Sequence, residues 1–86
     1  MDVDSLAELA RVRALVGTGA ARPIRKSAGL SLGEVAGSIG VSPGTVLRWE
    51  NGERIPRGQA AVAYGRLLTT LIDQQRPRRS ERTGAS

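Results

Sequence analysis

Between residues 42 and 57 the chain carries a run of side chains that donate hydrogen bonds: Ser42, Thr45, Arg48, Asn51, Arg54 and Arg57. Hydroxyls, a carboxamide and guanidinium forks are the groups that bind phosphate oxygens and base edges. The fork of Arg48 suits guanine O6 and N7, a pairing worth about 1–3 kcal/mol of discrimination. Its other readings are a solvated helix arginine or a phosphate contact. Ser42 and Asn51 read equally well as helix caps. Nothing comparable exists for catalysis. The chain has no histidine and no cysteine, which excludes imidazole chemistry, disulfides and the usual zinc sites. The carboxylates are scattered. The sequence predicts no enzyme, no catalytic residue, no metal and no cofactor.

The elements that must hold these side chains are written locally. Ser31 and Glu34 form an S-x-x-E capping box ahead of Val35, Ala36 and Ile39, which share one narrow apolar face. Gly40 is placed to stop that helix, and Val41 is the apolar residue expected to be buried in the turn. Ser42 caps the next helix and Pro43 stands at its first position, where a missing amide hydrogen costs nothing. Val46 and Trp49 turn inward, and Gly52 ends the helix. The spacing predicts helices over about 32–38 and 43–51. Two helices joined so tightly make a helix-turn-helix, whose second helix can enter a DNA major groove.

Around this unit, a first helix is expected over about 5–16, with Ser5 and Glu8 as a second capping box and Leu6, Leu9, Val12 and Val16 near one face. A second is expected over about 21–28, with Pro23 in its first turn, Ile24 inward and Arg25 and Lys26 beside it. Pro56 lies in a connector. From Gly58 to about Gln74, Ala60, Ala61, Tyr64, Leu67, Leu68 and Leu71 form a wide apolar stripe, expected to pack on the motif and in part on a second copy. Residues 75–86 hold arginines and no large apolar side chain, and read as a disordered basic tail. The expected fold is all-α, a bundle of about five helices. Residues 1–20 read as an extra helix and loop, 21–74 as the DNA-binding unit and 75–86 as the tail.

The chain has 86 residues and a net charge of +5. Residues 1–21 are nearly neutral, and the rest holds eleven cations against five anions. That balance fits a polyanionic partner. Trp49 is the only tryptophan. It reads as core, and so few aromatic residues argue against single-strand or RNA binding. No run is long and apolar enough for a membrane span, and the acidic start is unlike a secretory signal. The chain is expected to be cytoplasmic, at the nucleoid when bound to DNA.

Residues from about 24 to 56 resemble the lambda-repressor-like helix-turn-helix family of Cro, phage repressors and Xre-type regulators. Arg25, Ala28-Gly29-Leu30-Ser31, Glu34-Val35-Ala36, Ile39-Gly40-Val41-Ser42, Thr45-Val46, Trp49-Glu50-Asn51-Gly52 and Pro56 carry the likeness. The resemblance implies a sequence-specific regulator of double-stranded DNA, a repressor of phage or bacterial type. It implies base readout by Pro43, Gly44 and Arg48. Leu32, Ser42, Thr45, Asn51, Arg54 and Arg57 would meet phosphates. It also implies a structural pair between Arg25 and Glu50, which orients the reading helix. Leu32 departs from the glutamine often found at its place, and offers only its backbone amide. An exposed Leu47 is also unusual. A homodimer, and a protein partner met through Leu47 or the N-terminal helix, stay open. So do an antitoxin role and an accessory role in recombination. A winged helix of the MerR or excisionase type would continue into a β-hairpin, where the helical spacing after Gly58 points to a helix.

Overall fold

The computed structural model describes residues 1–75, which form five helices with no strand among them. α1 spans Val3–Gly17, α2 Ala21–Ser27, α3 Leu32–Ile39, α4 Pro43–Glu50 and α5 Gly58–Gln75. The expected tail lies, from residue 76 on, outside the described residues.

The motif helices are closed as their sequences dictate. The Ser31 hydroxyl accepts from the Glu34 amide at 3.0 Å, and the Glu34 carboxylate accepts from the Ser31 amide at 2.9 Å. Both halves of the capping box are therefore formed. Gly40 ends α3 at φ +79°, a left-handed conformation that glycine adopts without a Cβ penalty. Ser42 then caps α4, its hydroxyl accepting from the Thr45 amide at 3.2 Å, with Pro43 at the first helical position. Gly52, at φ +74°, lets the chain fold back beneath α4: its amide donates to Trp49 O and the Glu53 amide to Arg48 O. These are the two bonds of a Schellman closure. Val41 is half-buried rather than sealed in the turn.

The core runs through all five helices. Val12, Val35, Val46, Val62, Tyr64 and Leu68 are almost completely enclosed, and Trp49 stacks on Tyr64 with ring centroids 5.3 Å apart. Most of the α5 stripe packs within the chain, chiefly on α1, with α2, α3 and Trp49 of α4 also against it, while Ala60 and Leu67 are half-buried. α5 follows the connector directly, where a winged helix would carry a hairpin. Glu8 faces Thr69, while Arg13 donates to the Pro56 carbonyl at 3.0 Å. α1 therefore packs on α5, outside the motif but inside its core. Gly65 makes this possible: a Cβ there would lie 2.8 Å from the Glu8 carbonyl oxygen and 3.4 Å from Val12 Cβ.

The start of α1 differs from the expectation. Asp2 is its cap, accepting from the Ser5 amide at 2.9 Å, and Ser5 is buried one turn inside the helix. An aspartate caps as well as a serine, and the earlier start puts Ser5 on the face turned to the core. Leu6, expected near the apolar face, lies off it and is 53% exposed. Leu9, Val12 and Val16 are buried as expected.

Candidate nucleic-acid interface

α4 has two unlike faces. Val46, Trp49 and Glu50 are buried on one. Pro43, Leu47 and Arg48 are exposed on the other, and Gly44 is half-buried between them. Helical side chains lean toward the N-terminus of their helix, and Arg48 follows that rule. Its guanidinium lies over Gly44, where an added Cβ would sit 3.7 Å from Arg48 Nη1. Pro43 and Gly44 add no polar side-chain atom, so Arg48 is the polar group among the three residues expected at base edges.

The buried face is held from below by Glu50. Arg25 on α2 donates to it twice, from Nε at 2.6 Å and from Nη2 at 3.0 Å, and sends Nη1 to the Leu30 carbonyl at 2.8 Å. One guanidinium thus joins α2, the residue before the α3 cap, and the end of α4. Arg22 donates from Nε to Glu50 at 3.1 Å, and from Nη2 to the Asn51 side-chain oxygen. Burial pushes the Glu50 carboxyl upward, but the hydrogen bonds and charges of Arg25 and Arg22 outweigh it and hold it below its ordinary value. The bond to Glu50 correspondingly raises Arg25. A carboxylate in the last turn of a helix opposes the macrodipole, and the two guanidiniums answer both. The Tyr64 hydroxyl is buried near this carboxylate without a well-formed hydrogen bond. Burial first, and then the negative charge, raise its ionisation far above the usual range.

The residues expected at phosphates fall into three positions. Thr45, Arg54 and Arg57 come together on an open groove of about 610 Å3, which Trp49, Glu53 and Ile55 also line. Ser42 stands beside it, its hydroxyl 3.0 Å from that of Thr45 and already engaged as a cap. Asn51 closes α4, with its side-chain oxygen turned to Arg22. Leu32 opens α3, and its half-buried side chain packs on the core. Only its backbone amide is placed for an anion, among first-turn amides that have no partner within a helix.

Two residues escaped the sequence reading. Arg22 stands three positions before Arg25, a spacing that shares a helix face, and that spacing was the available signal for it. Arg13 anchors the carbonyl of Pro56, in the middle of the connector that bears Arg54 and Arg57. No local signal reveals a contact across that much chain.

No helix of the described residues is long and apolar enough to cross a membrane. No group of three or more acidic side chains placed to hold a metal occurs among them. No curated protein and no solved structure gives a significant match to the chain. A helix-turn-helix family model matches residues 24–72, more than half of the chain, and spans α3, α4 and most of α2 and α5. It supports a DNA-binding helix-turn-helix regulator. With the capping box, the glycine turn and the buried Arg25–Glu50 pair in place, the chain belongs to the lambda-repressor-like helix-turn-helix family.

Proposed function

We propose that the protein is a sequence-specific double-stranded DNA-binding transcriptional repressor that inserts residues 43–51 into the major groove. The observation that carries this reading is the division of α4. Its inner face is locked to the core and to Arg25, while its outer face presents Pro43, Gly44 and Arg48 beside a groove flanked by Arg54 and Arg57. A rigid helix with one forked donor and small neighbours can approach base edges closely.

In this reading Arg48 meets guanine, and Pro43 and Gly44 give the backbone room. Ser42, Thr45, Asn51, Arg54, Arg57 and the Leu32 amide set the register on phosphates. Residues 21–74 act as the DNA-binding unit, with α1 as a brace on α5 and the connector. Binding as a homodimer would pair two half-sites about one helical turn apart. Selection of bound sequences from random duplexes tests this. Recovery of one two-fold-symmetric motif supports a dimeric repressor, and no enrichment removes the reading.

A further inference from the structure

The outer face of α4 is less polar than a surface that meets only water and phosphate requires. Leu47 stands on it with 38% of its surface exposed. Pro43 and Gly44 lie four and three residues back, one turn away on the same side. The core has no vacancy for this leucine, because Val46 and Trp49 fill the inner face. Its neighbour Arg48 folds back over Gly44, so the two side chains leave the helix in different directions and reach different points of a groove. Scattered exposed leucines are ordinary. This one shares the outer face of α4 with Pro43, Gly44 and Arg48, the residues proposed to meet base edges.

We propose that Leu47 reads pyrimidine C5-methyl groups, packing on the methyl of a thymine or of a 5-methylcytosine near the guanine that Arg48 meets. The inference rests on the major-groove reading above. The C5-methyl is the apolar feature that base edges display in that groove. It is absent from the minor groove and from phosphates, so an apolar side chain here gives sequence information that a second arginine would not.

The duplex recovered by selection is the probe. Deoxyuridine replaces each thymidine in turn, which removes the methyl and keeps every hydrogen-bonding atom. 5-Methylcytosine replaces each cytosine, which adds one. The wild-type protein should lose about fourfold in affinity at one uracil position per half-site, the value of one buried methyl, which identifies thymine as the source. A gain of similar size at one 5-methylcytosine identifies the modified base instead. Leu47→Ala and Leu47→Gln should melt like the wild type, bind a scrambled duplex equally well, and no longer distinguish the methylated from the unmethylated forms. If the wild type binds all forms alike while still preferring the selected duplex, the inference is overturned and Leu47 is left to a protein partner. If no duplex is preferred at all, the major-groove reading itself fails, and this inference with it.

Discussion

Glu50 takes both arms of the Arg25 guanidinium, at 2.6 and 3.0 Å, although it is the last residue of α4 and its side chain has no exposed surface. The pair ties the end of α4 to α2. Removing one member of such a pair strands the other, at a cost of about 3–5 kcal/mol. Glu50→Ala should lower the unfolding free energy by about that amount in chemical denaturation. A loss under about 0.5 kcal/mol, the level of an exposed pair, would show that water reaches the carboxylate.

The same pair makes stability depend on acid. The folded protein holds the Glu50 carboxyl below its ordinary 4.5, so the folded state binds fewer protons than the unfolded chain as the pH drops. The contribution is complete above about 4.5 and is lost as the pH falls from there through the lower folded value. Asp2 and Glu34, lowered by their bonds at the two helix caps, act in the same direction. Stability measured across this range should fall less steeply in Glu50→Gln than in the wild type. Equal slopes would assign the acid sensitivity to the caps alone.

Gly65→Ala should destabilise the protein even though alanine is the better helix former by about 1 kcal/mol. Its Cβ would lie 2.8 Å from the Glu8 carbonyl oxygen, which is backbone and cannot turn aside. Forcing α1 off α5 should cost about 1–3 kcal/mol, as overpacking does, and lower the melting temperature. A raised melting temperature would show that α1 is free to shift.

These residues also show what a sequence discloses. Ser31, Glu34, Gly40, Ser42, Pro43 and Gly52 act within a turn of where they stand, so the motif and its closures were legible from spacing alone. The Arg25–Glu50 pair was legible only through the family resemblance, since nothing local joins positions on separate helices. Asp2 was hidden because Ser5 and Glu8 make an equally good local signal, which only the docking of α1 decides. Arg22 had a signal in its spacing from Arg25, but the tight approach at Gly65 and the Arg13 bond to Pro56 were not legible. Each follows from how separate helices pack, and no periodicity encodes that.

Arg54 and Arg57 line one groove with Thr45, and each should neutralise one phosphate. With about four to six phosphates met by each protomer, log affinity should fall with log salt at a slope of about −4 to −5. Arg54→Ala and Arg57→Ala should each make that slope shallower by about 1, and weaken selected and scrambled duplexes alike. Unchanged slopes would place both arginines away from DNA.

In the proposed complex α4 reads bases in the major groove through Arg48. Guanine N7 lies in that groove and pairs with a forked arginine, so methylation interference at N7 tests this most directly. Duplexes carrying the selected site, lightly methylated at guanine N7, are sorted into bound and free fractions by the wild type and by Arg48→Ala. Methylation of one guanine per half-site should exclude a duplex from the wild-type complex and make no difference to Arg48→Ala. Arg48→Ala should also bind the selected duplex about 5- to 150-fold more weakly, which corresponds to the roughly 1–3 kcal/mol of that pairing, while its binding to a scrambled duplex stays close to that of the wild type. If N7 methylation leaves the wild-type complex intact at every guanine, or if Arg48→Ala keeps the same interference pattern, α4 does not read the groove through Arg48.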